Sequence, residues 1–185
     1  MHEPHVGAVN RFVEALATER GAPVPYVDPD SGGVGARVLM VLETPSRRGA
    51  LRSGMVSVDN DDATARNLWL ALRDTGTPRS LGLLWNAVPW YVGTERRNAA
   101  VTRADEGAGA EVLLRLLALL PEVRVVLPFG RPAGRCVAVV GAELAGRGIA
   151  VVASIHPSPN NYAARPHARV EVEGALVRTR GLAGG

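Results

Sequence analysis

Four short apolar runs that alternate with segments of helical periodicity constrain this chain more than any other feature of its sequence. The runs have the length of strands, and they span residues 36–42, 81–88, 123–127 and 149–153. Segments with the spacing of helices lie before and between these runs. Three of them span residues 7–19, 108–120 and 132–145, and a fourth runs from a cap at Asp62 or Thr64 to Leu72. Strands that alternate with helices predict a parallel sheet covered on both faces. We therefore expect an α/β fold, a three-layer α/β/α domain with a mainly parallel four-stranded central sheet.

The segments outside the runs set the expected limits of the domain. Residues 1–23 are expected to form an N-terminal helical extension that packs outside the sheet. Residues 26–35 are rich in Pro, Asp and Gly, which is typical of a loop. The segment 166–179 is compatible with a helix or a strand, and residues 181–185 are expected to fray. Because no repeat or long linker divides the chain, we expect a single domain with a core of about 24–180.

Composition narrows the classes of protein to consider. A chain of 185 residues buries about 70% of its unfolded surface, so one packed core suffices. The single cysteine, Cys136, excludes an internal disulfide and a cysteine-rich zinc or iron–sulfur site, and it is typical of the reducing cytosol. No apolar stretch approaches the roughly 20 residues that cross a bilayer, no signal peptide is recognisable, and no Gly-rich phosphate loop implies a nucleotide. We expect a cytoplasmic monomer without a metal, another cofactor or membrane contact.

The basic residues are all arginines, since the chain contains no lysine. Arginine binds phosphate with two donors at once, although a GC-rich genome also explains the absence of lysine. Seven arginines follow three candidate motifs, at positions 47, 48 and 52, at 131 and 135, and at 165 and 169. This placement favours phosphate contacts.

Polar residues follow the apolar runs at the point where each strand is expected to end. Glu43 and Thr44 follow the first run, Asn86 lies near the end of the second, and His156 follows the fourth. The carboxyl ends of parallel strands share one edge of a sheet, so Glu43, Asn86 and His156 are expected to converge there. A carboxylate, an amide and an imidazole together suit acid–base or charge-stabilising chemistry. Taken alone, His156 also fits a tight turn in which its ring bonds a backbone carbonyl.

The loop after the fourth run has the sequence His156-Pro157-Ser158-Pro159. Two prolines fix the backbone of such a loop, so the amide and hydroxyl of Ser158 and the histidine ring are expected to face one anion. Together with the segments 83–88 and 125–133, this loop resembles the uracil-DNA glycosylase superfamily over roughly residues 36–165. The resemblance implies an enzyme that flips a uracil or related deaminated base out of DNA and hydrolyses its N-glycosidic bond.

The resemblance also implies roles for individual residues. Catalysis is assigned to Glu43, which orients water or stabilises the sugar cation, and to His156, which donates to the departing base. Base binding is assigned to Thr44, Pro45, Asn86 and a platform at Val56 or Met55. Contacts to DNA phosphate, or a wedge into the base stack, are assigned to Ser46, Arg47, Gly130, Arg131, Pro157, Ser158, Asn160, Tyr162 and Arg165. Within that set, Tyr162 is large enough to fill the gap left by a flipped base.

The first motif departs from the family pattern. Classical members carry an aspartate that positions water where this chain has Thr44. Glu43 matches the glutamate of the thermostable branch, whose iron–sulfur cysteines are missing here. Glu43 also suits a structural cap or a salt bridge. The downstream acids Asp59, Asp61 and Asp62 are alternative catalytic carboxylates, or a solvated run that caps a helix.

Two other functions fit the same sequence. One is a catalytically impaired module that binds nucleic acid on the same fold, because fold does not fix function. The other is a hydrolase of free nucleosides or nucleotides. The excised base and the preference for single- or double-stranded DNA stay open at this level.

Overall fold

The computed structural model describes residues 3–93 and 99–184. Its strands are β1 (Tyr26–Val27), β2 (Val38–Leu42), β3 (Met55–Val56), β4 (Gly82–Asn86), β5 (Val125–Pro128) and β6 (Ala150–Val151). Its helices are α1 (Pro4–Arg20), α2 (Ala50–Ser53), α3 (Ala63–Asp74), α4 (Arg103–Leu117), α5 (Gly130–Val139), α6 (Gly141–Gly146), α7 (Pro159–Ala164) and α8 (Ala168–Leu182). The alternation of strands and helices follows the order expected from the apolar runs.

The central sheet is four-stranded and parallel, with the strand order β4-β2-β5-β6. Its register pairs Leu42 with Asn86 at the carboxyl ends of β2 and β4. On the other side of β2, Val41 pairs with Pro128 near the end of β5. The residues that follow these strands therefore emerge at one edge of the sheet.

Side chains alternate between the two faces of the sheet and build a core on each. Leu39 and Val41 of β2 belong to a cluster with residues of α1, α4 and α5. Val38 and Met40 belong to a second cluster with residues of α3 and α8. Strands buried on both faces in this way read as continuous apolar runs. The expected three-layer α/β/α fold is confirmed.

Two N-terminal expectations need correction. Helix α1 does not pack as an outer extension, because Val9 and Leu16 are fully buried in the first core cluster. The segment 26–35 is not only loop, since β1 pairs in parallel with β3 to form a separate two-stranded sheet. Both elements are therefore part of the folded domain.

The C-terminal half also differs from expectation. The helix expected at 132–145 is two helices, α5 and α6, separated at Val140. The fourth strand is two residues long and lies at the sheet edge, where Val151 is 49% exposed. The tail does not fray at 181, because α8 continues to Leu182 and Ala183 is buried, while Gly185 lies outside the described residues. No helix within 3–93 and 99–184 is long and apolar enough to cross a membrane.

Candidate active site

A pocket opens at the carboxyl ends of β2 and β4. Its walls come from the loop after β2, the β3–α3 connection, the first turns of α3 and the histidine loop. The residues that line it are Leu42, Thr44, Pro45, Ser46, Ala50, Val56, Ser57, Val58, Asn60, Asp62, Thr64, Ala65, Leu68, Leu84, Asn86 and His156. The structure thus brings Asn86 and His156 into one cavity, although 70 residues separate them along the chain.

Asn86 presents the pocket with a polar group that has no partner. The residue ends β4 and is only 2% exposed. Its backbone is fixed by the ladder to β2, but no described residue hydrogen-bonds to its side-chain carboxamide. The carboxamide lines the pocket and offers both N–H donors and a carbonyl acceptor, so it can bind a ligand edge that presents an acceptor beside a donor.

Asp62 supplies the carboxylate of this pocket and also caps α3. The backbone N–H of Ala65 donates to Asp62 Oδ1 at 2.9 Å, and the hydroxyl of Ser46 donates to Oδ2 at 2.9 Å. A Cβ atom on Gly49 would lie 2.0 Å from Oδ2, so only glycine permits this approach. A carboxylate has further lone pairs, so the two hydrogen bonds leave acceptor capacity for water or substrate.

Thr44 and Ser46 have structural partners within the first motif. The Thr44 hydroxyl donates to the carbonyl of Trp90 at 3.0 Å and so joins the loop after β2 to the loop after β4. Ser46 accepts the backbone N–H of Gly49 at 3.0 Å and donates to Asp62. The hydroxyl of Ser46, which the sequence assigned to DNA phosphate, is therefore engaged in holding the pocket carboxylate.

His156 lies where the pocket meets a wider groove, and it lines both. Burial lowers the pKa of its imidazole below the usual value, and the negative charge of Asp62 acts in the opposite direction. The ring is therefore neutral at neutral pH and can donate one hydrogen bond. Gly130, at φ +84°, packs against the histidine, since a Cβ there would lie 3.0 Å from His156 Cβ.

Glu43 faces the groove and does not line the pocket of Asn86. The groove also contains Gly130, Arg131, Ser158 and Arg165 beside His156, as the phosphate assignments expect. Burial raises the pKa of the Glu43 carboxyl, while the charge of Arg135 lowers it. Of the three residues that were expected to converge, Asn86 and His156 line one pocket. Glu43 shares only the groove with His156.

Of the two residues expected as a base platform, Val56 is the one that lines the pocket. Val56 is buried and lines the pocket, and Met55 is not among the lining residues. The imidazole of His156 is the aromatic ring among the described residues that line the pocket, and its apolar side chains otherwise offer aliphatic carbon. The pocket therefore depends on its polar groups more than on stacking.

Four assignments on the DNA side change with the structure. The ring of Tyr162 packs against the second core cluster with its hydroxyl buried, which is incompatible with a wedge in this position. Asn160 of α7 is exposed and stays available for that contact. Ser158 caps α7 by accepting the backbone N–H of Asn161 at 3.3 Å, so its oxygen is partly used. Arg47 is exposed but lies outside both cavities, and Pro157 is buried.

The other downstream acids lie away from the pocket. Asp59 forms an ion pair with Arg79 at 2.9 Å, and Asp61 is exposed. Among residues 3–93 and 99–184, no three His, Cys, Asp or Glu side chains are grouped as a metal site requires. Asp62 is therefore the alternative acid that the fold brings to the base pocket.

The sequence did not single out several residues that hold this site. Asn67 of α3 and Asn161 of α7 donate to carbonyls of the histidine loop. Glu106 is buried on α4 and forms a bidentate ion pair with Arg135 of α5 behind Glu43. Polar residues inside helices carry no spacing signal, so no pattern identifies them.

A parallel sheet covered on both faces, with a polar pocket at its carboxyl edge, defines an α/β protein of the kind in which ligands bind at that edge. The family model of the uracil DNA glycosylase superfamily matches residues 29–176. The chain belongs to that superfamily, whose members are DNA glycosylases that act on DNA.

Among solved structures, SMUG2 of Pedobacter heparinus has a similar fold. The TM-score is 0.55 at 14% sequence identity, and the match covers 95% of this chain and 83% of that one. This likeness concerns the fold. No curated protein matches the sequence.

Proposed function

We propose that this protein hydrolyses the N-glycosidic bond of uracil or a related deaminated base in DNA. The observation that carries the proposal is the buried, unpartnered carboxamide of Asn86 in one pocket with a neutral His156. A carboxamide matches the imide edge of uracil, where a carbonyl acceptor lies beside an N–H donor. Cytosine presents the donor and the acceptor in the reverse order, so discrimination against it requires that the carboxamide keeps one of its two orientations.

The pocket residues divide the reaction between them. A base inside a duplex is out of reach, so the nucleotide enters the pocket flipped out of the stack or from a single strand. As the C1′–N bond breaks, its electron pair stays on the base and the sugar becomes cationic. His156 then donates a hydrogen bond to the carbonyl oxygen that gains charge. Water adds to C1′ and releases its proton to a carboxylate or to solvent.

Asp62 is the carboxylate that we place beside the cationic sugar. It shares the pocket with Asn86 and His156, and its acceptor capacity is not exhausted by its two hydrogen bonds. Glu43 reaches only the groove, where burial raises its pKa and favours the protonated form. Under this proposal Asp62 takes the role of the aspartate that Thr44 replaces.

The groove beside the pocket suits the DNA backbone. Arg131 and Arg165 line it and are exposed. Contacts from such arginines to phosphate make binding sensitive to salt. We therefore expect the affinity for DNA to fall as the salt concentration rises.

The direct test is incubation of the purified protein with oligonucleotides that contain uracil, hypoxanthine or xanthine, followed by alkali to cleave abasic sites. Strand scission at uracil that disappears in the variants Asn86→Ala and His156→Ala supports the proposal. Binding without scission, at high protein concentration, would instead identify a nucleic-acid-binding module. Release of base from mononucleotides alone would identify a nucleoside or nucleotide hydrolase.

A further inference from the structure

The imidazole of His156 has no hydrogen-bond partner among the residues that the structure describes. Ring orientation in a histidine is commonly set by a hydrogen bond to one ring nitrogen. Here the packing around the residue, including that of Gly130, and the backbone of the loop set it. The question is then what holds that backbone in place.

The loop has few donors of its own, because Pro157 and Pro159 lack a backbone N–H. Two carboxamides bind its carbonyls from outside. Asn161 Nδ2 donates to the carbonyl of His156 at 2.8 Å, and Asn67 Nδ2 donates to the carbonyl of Pro157 at 2.9 Å. The first contact spans five residues, whereas the second spans 90.

The long-range contact comes from the helix that carries the pocket carboxylate. Asp62 caps α3, and Asn67 lies five residues further along the same helix. A helix is rigid over this distance, since each residue adds only 1.5 Å of rise in a hydrogen-bonded frame. A hydrogen bond from Asn67 to the histidine loop therefore fixes His156 relative to Asp62.

We propose that Asn67 is a positioning residue, which holds the imidazole of His156 in register with Asp62 and Asn86 across the pocket. It touches neither base nor sugar. Its effect on the rate of base release rests on the proposed function, but its effect on the histidine does not. The charged groups that share the two cavities with the ring are Asp62, Glu43, Arg131, Arg165 and Glu171, and the substitution of Asn67 leaves all of them unchanged.

The test compares Asn67→Ala and Asn67→Gln with the unaltered protein. Misplacement of a reacting group by about 1 Å costs on the order of 100-fold in rate, so we expect Asn67→Ala to slow single-turnover base release by about 10- to 100-fold. The affinity for uracil DNA should not change. Asn67→Gln keeps the donor and should recover part of the rate. Arg73→Ala, an exposed substitution on the same helix, is the matched control and should keep the full rate.

A second readout does not depend on activity. The pKa of His156, measured by NMR on histidine-labelled protein, should move up toward its ordinary value in Asn67→Ala, because a released loop gives the ring more water. An unchanged pKa together with an unchanged rate would overturn the inference. If the unaltered protein releases no base, the proposed function fails, and the histidine pKa alone decides the positioning role.

Discussion

Replacement of Asp62 separates its two tasks, because asparagine caps a helix as well as aspartate does but carries no charge. In Asp62→Asn the bond from the N–H of Ala65 is kept, and the hydroxyl of Ser46 can reverse its direction to accept. In Asp62→Ala both bonds are lost. The comparison therefore isolates the contribution of the carboxylate charge from that of the cap.

The expected magnitudes differ for stability and for activity. Loss of an N-cap costs about 0.5–2 kcal/mol, and each kcal/mol lowers Tm by about 2–4 °C in a chain of this size. Asp62→Ala should therefore melt a few degrees lower, while Asp62→Asn should melt close to the unaltered protein. A carboxylate that assists proton transfer or stabilises the sugar cation contributes roughly 100- to 10,000-fold, so both variants should release base more slowly by about that factor.

Thermal denaturation and single-turnover release from a uracil oligonucleotide measure the two effects. Glu43→Gln is the matched comparison, because it removes the carboxylate that the first motif brings to the groove beside His156. We expect Glu43→Gln to keep most of the rate. Full activity in Asp62→Asn, with loss of activity in Glu43→Gln, would refute the reasoning and identify Glu43 as the working acid.

Three further predictions concern other parts of the site. Asn86→Ala removes a buried amide that has no partner, so uracil release should be lost while Tm does not fall, as melting curves will show. Burial lowers the pKa of the His156 imidazole from 6.5, so the contribution of this residue to the stability of the fold is complete above pH 6.5 and is lost as the pH falls through the folded-state pKa. His156→Gln should remove this decline of Tm at acid pH. Arg135→Ala leaves the buried Glu106 with the exposed Arg103 as its ion-pair partner among the described residues and should lower the midpoint of urea denaturation, which Glu106→Gln in the same chain should largely restore.

The architecture could be predicted because its central strands carry a local sequence signal. A buried parallel strand is apolar along its length, so β2, β4 and β5 were recognisable without knowledge of their neighbours. The strand β1 was not, because two residues that pair with β3 have no periodicity to detect. The edge strand β6 is shorter than its apolar run predicts, because an apolar run does not show where the hydrogen bonds to the neighbouring strand end.

The site was predictable to the extent that strand ends determine it. Asn86 and His156 share a pocket because Asn86 ends β4 and His156 follows the bridge between Phe129 and Ser154 at the same edge of the sheet. The sequence predicts a helix cap at Asp62, and the structure has that cap. Only the packing of α3 shows that the same carboxylate lines the pocket. The ring of Tyr162 packs against the core because Tyr162 lies in the short helix α7. The sequence does not predict this helix, because it directly follows the two prolines of the histidine loop.

The hydrogen bond of Thr44 has a consequence for any substitution at this position. Its hydroxyl donates to the carbonyl of Trp90, so the residue joins two loops. An ionised aspartate accepts hydrogen bonds and donates none, and in that place it would set two acceptors against each other. Thr44→Asp would therefore introduce a carboxylate only if the loop that carries Trp90 also moved, so this position cannot gain an acid without a change in the loop after β4.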